Sequence, residues 1–363
     1  MTEFETKQQR IHEFLAAHHL DALLLQRVSS FAWATCGAAS YVSTAVTEGA
    51  SSLLLTPNGR YIITNTIEAP RLEQEEQLAS QGWEFRIAPW YQPNSAIGDL
   101  TRGMKLGSDM LYPDATPLMN EVARLRATLL PEEAERLRHL GRLCGDAMNN
   151  AIRSVQPGQT EQEIAGHISF HTRRHSIQPI VNLVATDERV SAFRHPLPTD
   201  KKMERYAMLV LVGRKQGLCC SLTRLVHFGA LDDELRQKMN ATARVDAAMI
   251  AATRPGATLG EVFKRAADAY AQAGFADEWH KHHQGGTIGY QPREYLGMPD
   301  SQDVVAIDQA YAWNPSITGC KSEDTILVGE KKNTVLTEII GWPKLPVTMV
   351  GETIMRPAIL EIG

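Results

Sequence analysis

Residues 206–229, YAMLVLVGRKQGLCCSLTRLVHFG, place two apolar, strand-sized runs on either side of Arg214-Lys215-Gln216-Gly217. Runs of this length around a polar turn that ends in glycine predict a β-hairpin. What lies on each side of it decides the architecture. Upstream, VQPGQTEQEIAGHI (155–168) closes one helix at Pro157-Gly158 and opens the next. Downstream, TRPGATLGEVFKRA (253–266) repeats that order. In both, one residue after Pro-Gly comes a threonine placed to cap the helix, with glutamate at the third helical position, the reciprocal arrangement of a capping box. The Pro157 and Pro255 registers therefore suggest two related halves.

Before the first half, EEAERLRHLGRLCGDAMNNAIRSV predicts a long amphipathic helix, entered through Pro131 with Glu132 and Glu133 in its first turn. The last third, residues 304–337, offers strand-sized runs broken by Asn-Pro, Thr-Gly and Glu-Lys-Lys-Asn turns. A sheet flanked by helices is the economical result. The N-terminal region reads as a separate mixed α/β unit. Ile11, Phe14 and Leu15 fall at helical spacing, DALLLQ follows as a strand, and Pro57-Asn58-Gly59 joins two strand-like runs as a hairpin. With 363 residues, two domains are expected, and the boundary is placed near residue 126, giving domains 1–125 and 126–363.

Composition narrows the function classes. A formal charge of −5 and the absence of any lysine- or arginine-rich run argue against nucleic-acid binding. No apolar stretch approaches bilayer length, and charges occupy the N-terminus where a signal peptide would be apolar, so a cytoplasmic protein without a membrane partner is expected. Five cysteines lack metal-ligand spacing and read as reduced, structural thiols, with Cys219 and Cys220 on opposite faces of a strand.

Four segments in order carry a resemblance to the creatinase and aminopeptidase P family, the pita-bread peptidases of family M24. They are FRHPLPTDKK (193–202), the hairpin ending in Thr223-Arg224, HHQGGTIGYQPRE (282–294), and AWNPSITGCKSEDTILV (312–328). The resemblance implies an α/β (α+β) fold in which a smaller creatinase-type N-terminal α/β domain precedes a pita-bread C-terminal domain, and it implies a homodimer. It places His195 at the catalytic histidine and His282 at a histidine that touches substrate. Metal-dependent members hold two divalent cations through two aspartates, a histidine and two glutamates. Here the corresponding positions are Val210 or Leu211, Ser221, Gly286, Asn314 and Glu323, so one ligand in five remains. Arg293 stands where a second catalytic histidine would be.

A divalent ion needs several carboxylate or imidazole ligands to replace its lost water. No metal and no other cofactor is therefore expected. Of the three neighbouring histidines, strand alternation predicts that His280 and His282 converge while His283 points away. By the same rule Glu323 and Asp324 face opposite ways. The expected function is metal-independent hydrolysis of a C–N bond in a small polar, acidic metabolite or amino-acid derivative. His195 would shuttle the proton and Glu323 would orient it. Arg293, His282, Asn314, Ser221, Glu294 and Gly286 would form the substrate-binding wall, with Arg293 holding an acidic group. Two alternatives stay open: a non-catalytic ligand-binding or scaffold protein, and a metal-dependent Xaa-Pro-type aminopeptidase.

Overall fold

The computed structural model describes residues 1–92, 95–349 and 351–363, apart from the side chain of Ser95. It divides into two compact units, residues 1–127 with 216–218, and residues 128–215 with 219–363. No described helix is long and apolar enough to cross a membrane.

In the first unit, helix Glu3–Ala17 starts at a capping box between Thr2 and Glu5 and buries Ile11, Phe14 and Leu15, the residues its helical spacing had singled out. A six-stranded sheet follows, ordered Glu84–Ala88, Gly59–Asn65, Glu48–Thr56, Ala22–Arg27, Leu106–Ser108 and Ala115–Pro117. The expected hairpin is present, with Thr56 paired to Gly59 across the Pro57-Asn58 turn.

The second unit is an α/β assembly whose helices cap as the sequence indicates. Helix Pro131–Arg153 has proline in its first turn, and Glu133 reaches back to accept the N–H of Leu130 at 2.8 Å. Helices Glu161–Arg173 and Leu259–Gln272 both begin in full capping boxes, Thr160 with Glu163 and Thr258 with Glu261. The doubling extends into the backbone. Gly158 and Gly256 share φ of +90°, in the left-handed region that favours glycine. Gly158 N–H donates to Met203 and Gly256 N–H to Val305. Thr160 bridges Lys202, and Thr258 bridges Val304. Each capped helix is thus pinned to a returning segment in the same way.

Two sheets carry the site. One runs Leu360–Ile362, Leu218–Phe228, Tyr206–Lys215, Gln178–Thr186; the other runs Tyr295–Leu296, Gly285–Ile288, Ala310–Trp313, Asp324–Leu327, Thr334–Val335. An antiparallel bridge between Thr223 and Glu323 connects them. Tyr311 and Trp313 stack within the core of this unit, centroids 5.4 Å apart.

Removing a capping hydroxyl leaves one N–H of the first turn without its side-chain acceptor. Thr160→Ala and Thr258→Ala are each expected to lower unfolding free energy by about 1 kcal/mol, additively, in urea titrations.

Candidate functional site

Glu323 sits at the centre, 1% exposed. Alternation along strand Leu218–Phe228 puts Ser221 and Thr223 on one face. Their hydroxyls donate to the two oxygens of Glu323, Ser221 Oγ at 2.6 Å and Thr223 Oγ1 at 2.7 Å. Lys321 lies two residues before Glu323, and its Nζ is 2.9 Å from Oε2. Arg293 Nη2 is 3.1 Å from Oε1, while its Nη1 donates to its neighbour's carbonyl, Pro292 O, at 2.6 Å. Burial would raise the carboxyl, but the charges of Lys321 and Arg293, helped by the Ser221 hydroxyl, hold it well below the usual carboxylate range. Arg293 Nε is buried and has no partner.

Beside this carboxylate three imidazoles converge. One nitrogen from each of His195, His282 and His283 lies within 4.8 Å of the others. His195 Nε2 and His282 Nε2 are 3.1 Å apart, so one donates and the other accepts, and His282 Nδ1 faces Ser316 Oγ at 3.4 Å. Burial first, then the positive charge of Lys321, pushes His282 down to about 2. Burial and Arg293 bring His283 down to about 4. His195, the most exposed of the three, is lowered for the same reasons, with Glu323 partly opposing. All three are therefore neutral near pH 7.

The loops that present these rings are tied to one another. Arg194, next to His195, bonds both Glu278 and Thr318 Oγ1, and Glu278 also accepts the N–H of Thr318 at 2.9 Å. On the far side of His195, Thr199 donates its N–H and hydroxyl to the fully buried Glu161. Tyr270 links Gln284, just after the histidines, to the backbone of Ser316.

The structure corrects several residue-level expectations. His280 does not converge with His282: residues Glu278–Lys281 form a 3-10 turn, which breaks strand alternation, and His280 stacks on Trp279 at 3.6 Å. His283 turns inward instead. Glu323 does not orient His195 by a hydrogen bond; its oxygens are held by two cations and two hydroxyls, and His195 bonds His282. Glu294 closes a turn, its Oε1 accepting the N–H groups of Tyr290 and Gln291. Gly286 is a point of close strand approach, where an added Cβ would meet Tyr295 O at 2.2 Å and Leu296 Cα at 2.8 Å. Asn314 is 2% exposed and its Oδ1 is buried without a partner. Glu323 and Asp324 do face opposite ways, Asp324 pairing with Arg224 and Arg356. Burial pushes the thiols of Cys220 and Cys320 up, Cys320 to about 11, so neither is a nucleophile at neutral pH.

Lys321, Thr223 and His283 were not among the site residues the sequence indicated. Period-two alternation from Glu323 and from Ser221 would have found the first two. Nothing local announces His283, because the 3-10 turn that rotates it has no sequence signature of its own.

Comparison with known proteins places this geometry. The model of metallopeptidase family M24 matches residues 135–330. An uncharacterized peptidase of Staphylococcus saprophyticus is 24% identical over 230 residues, 60% of this chain and 64% of that protein. The match thus spans less than two thirds of that relative's length. The prolidase from Pyrococcus horikoshii OT3 superposes with a TM-score of 0.79 at 17% identity, covering 92% of this chain and 98% of the other. The Xaa-Pro dipeptidase from Bacillus anthracis gives 0.78 at 20% identity, covering 99% and 100%. Likeness at these identities shows the pita-bread fold.

Neutral imidazoles in the folded state set the acid response. Their folded values lie below the unfolded value of about 6.5, so the unfolded chain binds protons first as pH falls. Their stabilisation is complete above about pH 6.5 and is lost progressively below it, with His283 levelling near 4 and His282 near 2. Between pH 7.5 and 5.5 the unfolding free energy is expected to drop by about 1 kcal/mol for each of these two imidazoles, and the drop should shrink in His282→Asn/His283→Asn.

Proposed function

Because this chain belongs to metallopeptidase family M24, we propose that it is a hydrolase of that fold which cleaves a C–N bond in a small acidic substrate without a divalent metal. The observation that carries this reading is the saturation of Glu323. Its oxygens, at the one retained ligand position, are occupied by Arg293, Lys321, Ser221 and Thr223. A carboxylate committed to one buried and one half-buried cation has little left to offer a third. Gly286, at the position of the ligand histidine, has no room for any side chain. These residues do not fit a dinuclear centre. The three imidazoles offer lone pairs to a single cation, yet Lys321 and Arg293 outweigh Glu323 by one positive charge, a field that favours an anion.

In this reading the substrate's acidic group binds the excess positive charge, with Arg293 Nε as an unused donor. His195, neutral and open to solvent, accepts a proton from water as its oxygen attacks the carbonyl carbon. Lys321, whose ammonium has donors beyond the one on Glu323, hydrogen-bonds the developing oxyanion. The proton held on the His195–His282 pair then passes to the leaving nitrogen as the C–N bond breaks, giving an acid and an amine. The homodimer expected from the creatinase-type resemblance belongs to the same proposal, and sedimentation tests it.

A panel of N-acyl amino acids, guanidino acids and Xaa-Pro dipeptides, assayed with and without a chelator, is the direct test. Turnover is expected to be indifferent to the chelator, and His195→Ala should lower kcat about 10²–10⁴-fold. Arg293→Met should raise KM about 10–100-fold, the worth of one charged hydrogen bond. Activity that appears only with manganese or cobalt and vanishes in the chelator would sink the metal-free mechanism. Binding without turnover in either protein would favour the non-catalytic reading.

A further inference from the structure

A cavity of about 370 Å³ opens beside strand Leu218–Phe228, on the face that carries Arg224 rather than Ser221 and Thr223, between the hairpin Lys344–Met349 and Glu352–Pro357, the end of helix Asp233–Ala252, and residues 332–342. None of His195, His282, His283, Arg293 or Glu323 lines it. We propose that it is a second binding site, for a small organic anion with a phosphate or carboxylate head on a flat apolar body.

The volume suits a small molecule. Ile250, Val335, Ile339, Trp342 and Ile354 supply an apolar wall. Five cations face the space, Arg224, Arg254, Lys332, Lys344 and Arg356, against the acids Asp324, Glu338 and Glu352. Even with Asp246, which binds Arg356 from behind the wall at 2.7 Å, the cations exceed the acids by one. Most are paired: Arg224 and Arg356 with Asp324, Arg254 with Glu352, Lys344 with Glu338. Lys332, at the rim, has no acidic partner among the described residues. That ammonium is available to an incoming anion.

Unused hydrogen-bonding groups point the same way. Arg254 gives Nη2 to Glu352 at 2.8 Å, while its Nη1 is buried without an acceptor. Asn333, 8% exposed, donates both amide hydrogens to Ile250 O and Thr253 O, leaving Oδ1 buried and unpartnered. Arg224 Nε, in a side chain 2% exposed, is a further unpartnered donor. Groups of this kind are destabilising unless something satisfies them, and anionic oxygens suit the two guanidinium donors, whereas Asn333 Oδ1 takes a donor such as water.

Phenyl phosphate titrated calorimetrically into the full-length protein at pH 7.5 tests the site, with benzoate, inorganic phosphate and phenol as separate arms. Saturable binding of phenyl phosphate or benzoate with Kd below about 1 mM is expected, and the stronger of the two identifies the head group. Inorganic phosphate and phenol, each lacking one part, should bind at least about tenfold more weakly. Arg254→Met and the exposed Lys332→Met should each weaken binding about tenfold, and Arg293→Met should leave it unchanged. Lys332→Met guards against misfolding, because that side chain holds nothing in place. No saturable heat up to about 10 mM overturns the proposal. So does binding that survives both cavity substitutions, or that is lost in Arg293→Met, which would put the anion in the active site.

Discussion

A carboxylate removed from water stays ionised only where positive charge and hydrogen bonds replace its hydration, and Glu323 depends on that replacement. Arg293 and Lys321 supply the charge, Ser221 and Thr223 the remaining bonds. The four partners come from three separate stretches of chain, so the ion cluster also fixes the register between the two sheets, where Thr223 and Glu323 share a backbone bridge. Loss of both cations would leave uncompensated charge at a cost on the order of 3–5 kcal/mol, whereas loss of one removes only the surplus. The surplus positive charge has a chemical effect as well. It adds to burial, the larger cause, in keeping the neighbouring imidazoles neutral at pH values where a free histidine would be half charged.

Much of the fold was legible because its cues are local. Pro-Gly followed by threonine and a glutamate at the third helical position describes a helix start that needs no tertiary information, and both such starts form as read. The hairpin turn at Gln216-Gly217 likewise announces itself, and both residues adopt positive φ. The site was legible only in outline. His195, His282, Arg293, Ser221 and Glu323 do come together, since the order of motifs located them. Their bonding partners did not follow from that order. His195 against His282 is a contact across 87 positions, set by Arg194 and Glu278 anchoring two loops to each other. Lys321 was passed over because it lies inside a turn-rich run, although its spacing from Glu323 was visible.

Membership of the metallopeptidase family and the pita-bread fold leave the chemistry of this chain to its own side chains. The arrangement that peptidases of this fold are built around is a cup of acids converging on cations. Among the described residues here, Glu323 meets side-chain cations, Lys321 and Arg293. In the proposed metal-free hydrolysis an ammonium can stabilise developing negative charge as a fixed group but does not turn water into hydroxide, so there proton removal is assigned to His195.

Gly286 carries an evolutionary consequence. Its α-carbon lies so close to the neighbouring backbone at Tyr295 and Leu296 that the strand could not accept an imidazole there without being pulled away from its partner. Any side chain placed there would thus demand coordinated changes in two strands rather than one codon. The packing thus holds this position at glycine, whichever side chains are exchanged around it.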